Sequence, residues 1–403
     1  MDIEAPKHTL DRREPAKIWT KTFISLFFAN LAFNMGMFMS NSILSLYVNS
    51  LGAPASAIGI VMGTFTVSAI LMRLISAPIM DTYNRKYIVA FASVTLSVAF
   101  FGFSMSETVP ALMVFRLVQG CGMAFGNACC LAMVSETLPK DRYNSGMGYY
   151  SLAQVMCQAV GPLVGLTLID SIGYSMMFVI NAGLMLVAAF LTMQIKIDFK
   201  RTKKFKMAFN NIIAKEALLP TAIMFLLSTC NGTIGSFLVV FAGEQGVTSN
   251  MGLYFTMTAV MMLITRPLVG KLTDKFGIVK VLIPALFCNV IAFYVISTST
   301  TLFGFLLAAV VSAFGQGACQ PAIMALSMKS VTKDRRGAAS STNYIGMDLG
   351  VLVGPVLAGG LAETSGYVTM WRVMSIPFFC GMILMFVCRK TVVRIEENFE
   401  AND

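Results

Sequence analysis

The sequence predicts an all-α integral membrane protein of twelve transmembrane helices, arranged as two pseudo-symmetric six-helix bundles. Three observations predict it. Apolar residues make up 56% of the 403 residues and charged residues only 12%, where soluble domains carry about 45–50% and about 25%. Runs of roughly 20 apolar residues, each long enough to cross about 30 Å as a helix, recur along the whole chain. Residues 73–174 also resemble residues 266–367 at a constant shift of 193 positions. Under that shift Arg73 falls on Arg266, Asp81 on Asp274, Lys140-Asp141-Arg142 on Lys333-Asp334-Arg335, Gly161-Pro162 on Gly354-Pro355, and Gly173-Tyr174 on Gly366-Tyr367.

The elements follow in order. Residues 1–21 are polar and charged, with no short apolar core before a small-residue cleavage site, so no cleavable signal peptide is expected and the first helix should act as the insertion signal. Six apolar runs near 22–48, 56–79, 87–105, 109–133, 144–169 and 175–195 form the first bundle, 22–195. A basic linker, 196–216, joins it to the second bundle, 217–388, with runs near 217–243, 251–270, 278–298, 302–328, 337–361 and 370–388. A charged tail, 389–403, closes the chain. Two such repeats facing each other suit a carrier that rocks about a central site.

The formal charge of +10 does not imply a nucleic-acid partner, because of where the charge lies. Lys and Arg crowd the two tails, the linker and the loops at 81–86, 136–142, 271–280 and 329–336. The alternate loops hold almost none: 47–55 is uncharged, 104–110 carries only Glu107, and 243–250 only Glu244; Arg372 is the outer-side exception. This is the positive-inside pattern, and it predicts a multi-pass protein of the cell membrane with both termini cytoplasmic. The linker stretch FKMAFNNIIA reads either as a solvated tether or as an amphipathic helix drawn to anionic membrane lipids. All nine cysteines lie inside apolar segments, and their spacing fits neither a disulfide framework nor a metal site. The single histidine, His8, sits in the polar tail. Short loops leave no room for a soluble catalytic domain, and the residues offer no clustered nucleophile or histidine group, so neither an enzyme nor a cofactor is expected. The expected functional unit is a monomer.

Three motifs carry more specific information. After the second run comes Ala77-Pro78-Ile79-Met80-Asp81-Thr82-Tyr83-Asn84-Arg85-Lys86, with a second copy at Gly270-Lys271-Leu272-Thr273-Asp274-Lys275-Phe276-Gly277. The fourth run holds Leu112-Met113-Val114-Phe115-Arg116-Leu117-Val118-Gln119-Gly120-Cys121-Gly122. The fifth holds Gly148, Cys157, Gly161-Pro162 and Gly165, echoed by Gly350, Gly354-Pro355 and Ala358. Small residues four apart let helices approach closely, and proline loosens the backbone. Together these stretches resemble the signatures of the major facilitator superfamily over essentially the whole chain, and more particularly its twelve-helix proton-coupled drug or metabolite antiporter branch. The chain departs from the family pattern at Ala77, Asn84, Ile278, Cys157 and Leu166. Asn84 is expected to keep the turn left-handed, as asparagine tolerates best after glycine.

The resemblance implies alternating access, a midplane site and proton-driven export, with roles for particular residues. Arg116 matches the motif arginine, which implies a cavity-facing cation that assists proton coupling or binds an anion; a structural bond to neighbouring carbonyls is the other reading. Asp348 is the one acid placed near the midplane, about eleven residues, or roughly 16 Å, into the eleventh helix. Burial raises a carboxyl pKa and a nearby cation lowers it, so a carboxyl balanced between the two can load and unload a proton. Arg73 and Arg266 are read as structural, snorkelling near helix C-termini, with attraction of an anionic substrate as the alternative. Asp81, with Arg85 nearby and Asp274 as its repeat, is read as a conformational latch against the N-terminus of the eleventh helix. Asp81→Asn should abolish transport at normal expression, and unchanged transport would end that idea.

Facilitator-type carriers line their cavity with helices one, four, seven and ten, and each of those holds an amide here: Asn34, Asn127, Asn231 and Gln316. Same-face pairs at four-residue spacing appear at Asn30/Asn34, Gln154/Gln158 and Gln316/Gln320. Amides in lipid must find partners, so Asn34, Asn127, Gln154, Gln158, Asn231, Gln316 and Gln320 are candidate substrate ligands, interhelical bonding being the bland reading. Thirty methionines suit either an adaptable wall or ordinary core filling. The first helix lacks an acid, which leaves neutral and anionic substrates open alongside cations. The expectation is a proton-coupled exporter of small organic molecules; the alternative is an uptake symporter or uniporter on the same fold.

Overall fold

Hydropathy decides where the helices lie, and glycine decides where two of them break. The computed structural model describes residues 18–138, 143–195, 213–332 and 335–402, and within these the side chains of Asp81, Asn127 and Asp274 lie outside the described part. All regular structure in the described residues is helical. The helices are α1 (Lys21–Ser50), α2 (Ala55–Thr82), α3 (Arg85–Met105) and α4 (Val109–Thr137). A continuous stretch, Tyr143–Met193, is two helices, α5 (143–172) and α6 (174–193), meeting at Gly173 with φ 75°. Then come α7 (Leu218–Glu244), α8 (Gly252–Phe276), α9 (Ile278–Thr298) and α10 (Leu302–Lys329). The stretch Arg336–Val373 breaks in the same way at Gly366, φ 78°, into α11 (336–365) and the start of α12, which continues through Ile376–Val387. The two breaks stand 193 positions apart, at places where only glycine accepts the backbone without strain. Ten stretches are long and apolar enough to cross a membrane, and two of them contain such a break, which yields the twelve spans.

Each half has its own packing. In the first, α5 lies along α1 and α6 along α3, with Ser97 on α3 donating to the Ala182 carbonyl of α6 at 2.9 Å. In the second, α11 lies along α7, and Trp371 is wholly buried against Phe241 and Phe293. Large apolar side chains such as Phe303, Val387 and Met105 remain exposed, as a surface solvated by lipid tails requires.

One face of the bundle, here termed the tail face, carries the start of α1, the end of α6, the start of α7 and a C-terminal helix, α13 (Arg389–Asn402). Ile18, Phe23, Leu138 and Ile195 share one apolar cluster on that face. Arg335 pairs with Glu216 there at 2.5 Å. Glu216 is held below the usual carboxylate range, first by a hydrogen bond from its own backbone and then by Arg335.

The tail-face loops correct one expectation. Asn84 is extended (φ −65°, ψ 116°), not left-handed, and its side chain caps α3 by accepting from the Lys86 amide at 3.0 Å. A side-chain cap is available only from an extended residue, so the asparagine contributes a hydrogen bond where the family glycine contributes a turn. Gly277, its counterpart at the shift of 193, has φ 83° and no side chain to offer. The α9 amide of Ile278 is instead capped by Glu396 of α13, whose carboxylate oxygens lie at 3.2 and 3.4 Å.

Candidate functional site

The site is built on two seams where the halves meet. Along the first, α2 runs antiparallel to α11. Glu363 accepts from the Ser56 amide at 3.3 Å, and Gly59 lies so close to the Pro355 carbonyl that a Cβ has no room. Gly63 stands against Leu352, and Arg73 meets Asp348. Along the second seam, α5 runs antiparallel to α8. Asn250 donates to the Leu163 carbonyl at 3.2 Å and to Thr167 Oγ1 at 2.7 Å. Gly252 packs on Leu163, and Thr256 donates to the Ala159 carbonyl at 2.5 Å. Gly59 and Gly63 become Gly252 and Thr256 at the shift of 193, while Leu352 becomes Ala159. The two seams therefore use one register.

These contacts seal the face opposite the tails. Among the described contacts between the halves, those of Arg73, with Asp348 and with Tyr344, lie nearest the tail side. Arg73 Nε lies 2.8 Å from Asp348 Oδ2, too oblique for a hydrogen bond, and Nη2 donates to Oδ1 at 3.4 Å. The guanidinium also stacks over Tyr344, 5.5 Å from the ring centre. The Asp348 side chain is 10% exposed and that of Arg73 27%. Asp348 is thus where the sequence put it, deep in α11. Arg73, expected to snorkel, is its partner, because a buried carboxylate within reach of an arginine fork is a better neighbour than a helix end.

Arg116 lies elsewhere. It is wholly buried, and Nε donates to the Val61 carbonyl of α2 at 3.1 Å while Nη1 donates to Gln119 Oε1 at 2.7 Å. Nη2 reaches Met62, and Phe65 covers the guanidinium at 4.9 Å. Its bonds fasten α4 to α2, the helix that carries Arg73; it does not touch Asp348. Arg266, on α8, is exposed. It forms no hydrogen bond, ion pair or ring contact among the described residues, and Val155 stands at the position equivalent to Asp348.

The amides divide. Asn34 is buried and donates to both oxygens of Asn30, at 2.9 Å (main chain) and 2.7 Å (side chain), and Asn30 donates to the Tyr150 carbonyl of α5 at 3.4 Å. Gln316 donates to Ser312 on its own helix at 2.8 Å. Asn231 is half-buried with Oδ1 unsatisfied, beside Gly232, which abuts Pro355 and Val351 of α11. Gln154 and Gln320 are exposed and Gln158 is half-buried next to the Ala159 carbonyl that anchors the second seam. Apart from the Asn34–Asn30 bond, no hydrogen bond among the described residues links these amides to one another. In the fifth-helix motif, Gly161 and Gly165 pack on Phe38, Met39 and Ile43 of α1, and Gly354 on Thr229 of α7. Pro162 and Pro355 are buried inside their helices. Cys157 is accommodated by donating to the Leu31 carbonyl at 3.3 Å. Arg85 is half-buried at the start of α3, while the Asp81 and Asp274 side chains lie outside the described part.

The partnership missed in sequence was Arg73–Asp348. The available signal was parity: one deep acid, and two arginines at equivalent depth of which only one shares a seam with it.

Comparison with known proteins agrees with the architecture. A family model described as Major Facilitator Superfamily matches residues 26–293 and 221–402. The chain is 24% identical over 370 residues to an uncharacterized MFS-type transporter of Methanocaldococcus jannaschii, covering 89% of this chain and 94% of that one. It is 22% identical over 395 residues to the multi-drug resistance efflux pump PmrA of Streptococcus pneumoniae, covering 94% and 98%. With the multidrug resistance protein MdtG of Enterobacter lignolyticus it shares 26% over 371 residues, covering 86% of each. Among solved structures, a bacterial homolog of the human lysosomal transporter Spinster, inward-facing and unoccupied, superposes with a TM-score of 0.77 at 15% identity over 94% of this chain and 99% of that one. The nucleoside transporter NupG gives 0.74 at 13% over 91% and 99%.

Proposed function

The chain belongs to the Major Facilitator Superfamily and is a multi-pass membrane transporter, not an enzyme; on that premise we propose that it exports small organic molecules in exchange for protons by alternating access. Efflux relatives that match nearly the whole chain support the direction. The observation that carries the coupling is the Arg73–Asp348 pair. Among the described residues it is the ion pair that joins the halves. Its carboxylate has two competing ways to be neutralised in a low-dielectric site, by the arginine or by a proton. A proton arriving at Asp348 releases α2 from α11, and loss of the proton restores the tie. The tail face is the cytoplasmic one in this reading, and the described contacts correspond to the state open to the cytoplasm. Arg116 acts as a positioning residue, holding α2 so that Arg73 meets Asp348. The unsatisfied Asn231, the half-buried Gln158 and the exposed Gln154 and Gln320 supply polar contacts to cargo, and the reading assigns the same role to Asn34, Asn127 and Gln316. Asp81, Arg85 and Asp274 latch the tail face in the opposite state.

The test is a substrate screen in proteoliposomes under an imposed pH gradient, comparing wild type with Asp348→Asn. The variant is expected to lose pH-driven flux while keeping substrate exchange at zero gradient. Equal pH-driven flux in both would remove Asp348 as the coupling site. Dissipating the gradient in loaded cells fixes direction: an exporter's cargo then accumulates, whereas a symporter's uptake fails.

A further inference from the structure

We propose that Arg266 is an anion subsite of the transport pathway, which pairs with the carboxylate or phosphate of an organic anion entering from the tail side. The assignment rests on the transport reading above and names a substrate class for it.

Four observations lead there. The two seams match position by position, and the match predicts that Arg266 sits on the seam-facing side of α8 as Arg73 does on α2. At that level the seams part company in charge: Arg73 has Asp348, and Arg266 has Val155. The second seam carries no described bond between its helices on the tail side of Thr256–Ala159, so Arg266 borders the side where the halves are not tied. Of the three arginines set inside membrane-spanning helices, Arg116 is satisfied by carbonyls and a glutamine and Arg73 by a carboxylate, which leaves Arg266 as the one without a described partner.

An unpaired cation at membrane depth is costly and marks a ligand pathway. Arg266 lies ten residues from the tail end of α8, about 15 Å along the axis. Lys271 and Lys275 lie exposed beyond it on the same helix, towards the tail face, and raise the local concentration of anions. The guanidinium fork matches the paired oxygens of a carboxylate or phosphate. The deep acid Asp348 is already engaged by Arg73, so no described carboxylate competes for the site. A cationic cargo would meet uncompensated positive charge there, which discriminates against it.

The same oxyanion chemistry belongs to a lipid headgroup, and two arms separate the sources. In the first, wild type, Arg266→Gln and Arg266→Lys are expressed in an efflux-deficient bacterium, with membrane levels matched by immunoblot. Efflux of fusidate (a carboxylate), chloramphenicol (neutral) and ethidium (a cation) is then measured. Wild type is expected to export fusidate. Arg266→Gln should lose about tenfold in fusidate efflux, roughly what one lost charge-assisted bond removes, with chloramphenicol efflux unchanged, and Arg266→Lys should keep an intermediate rate. Export of ethidium without fusidate, or an equal loss of every exported probe in Arg266→Gln, overturns the subsite while leaving the export reading intact. No efflux of any probe removes the export reading and this assignment with it. In the second arm, wild type and Arg266→Gln are compared for fusidate flux in phosphatidylcholine liposomes with and without phosphatidylglycerol. A difference confined to the phosphatidylglycerol liposomes assigns the anion to the lipid and overturns the cargo role; a difference in both supports it.

Discussion

The α2–α11 seam and the α5–α8 seam are near copies in geometry and opposites in chemistry. Both close at a glycine pressed against the partner backbone, Gly59 on Pro355 and Gly252 on Leu163. Both continue for a further turn, through Gly63–Leu352 and Thr256–Ala159. Further along, one seam holds an ion pair, Arg73–Asp348, and the positions equivalent to that pair in the other are Arg266 and Val155. The comparison teaches that duplication preserved the glycine where the backbones press closest, Gly59 and Gly252, because a larger side chain there would push the halves apart, whereas one turn on Gly63 and Thr256 already differ. Charge was free to diverge, and the divergence marks where the molecule does something only once.

The largest effect should come from breaking the single ion pair. Asp348→Leu leaves Arg73 partly buried and unpaired; the cost for a fully buried pair is about 3–5 kcal/mol, and the solvent access of Arg73 places the loss at or below the low end of that range. The double variant Arg73→Leu/Asp348→Leu should regain most of that stability, read as the thermal unfolding midpoint in detergent, yet remain without pH-driven transport. A double variant as unstable as the single one would mean that packing around α11, not charge, was disturbed.

A smaller effect is expected where the halves cap α3 and α9 differently. Glu396→Ala removes the cap on the Ile278 amide, and Asn84→Ala removes the equivalent cap on Lys86. Each should cost about 0.5–2 kcal/mol. Hydrogen exchange distinguishes them: Glu396→Ala should loosen both the start of α9 and α13, whereas Asn84→Ala should loosen the start of α3 alone. Unchanged protection of α13 in Glu396→Ala would show that the tail helix docks by its apolar contact at Val392 and not by the cap.

The smallest effect has the opposite sign. Asn289 on α9 is buried with both amide atoms unsatisfied, lying against Gly315 of α10. Its counterpart at the shift of 193 is Leu96, lying against Gly122. Asn289→Leu copies the other half and relieves an unmet polar group, so the midpoint should rise by the equivalent of about 1 kcal/mol. A fall would mean that the amide has a partner in another state of the transport cycle, which a drop in flux would corroborate.

Much of the molecule was legible in one dimension. Span positions follow from apolar runs, the twin halves from a gapless shift, and the breaks at Gly173 and Gly366 from glycines that the shift itself aligns. Asp348 was visible because a lone acid in a long apolar run has few reasons to exist. Arg116 was visible as a motif residue, but not which of its two readings its bonds would serve. Those bonds go to α2 carbonyls, and a carbonyl leaves no trace in residue identity. Asn84 misled for a related reason: its type permits both a left-handed turn and an extended cap, and the choice depends on whether the next helix finds a side-chain acceptor elsewhere.

By itself the sequence determined the membrane class, the number of spans, the pseudo-symmetry and the charge asymmetry of the loops. All of these depend on transfer free energies summed along a local stretch, and they need no knowledge of neighbours. Only the tertiary structure decided that Asp348 belongs to Arg73, that Glu396 returns from the tail to cap α9, and that Arg266 is left without a described partner. Such choices depend on which faces of distant helices meet and at what depth. An ion pair exists only where two side chains converge within a few ångströms in a medium too poor in water to screen them.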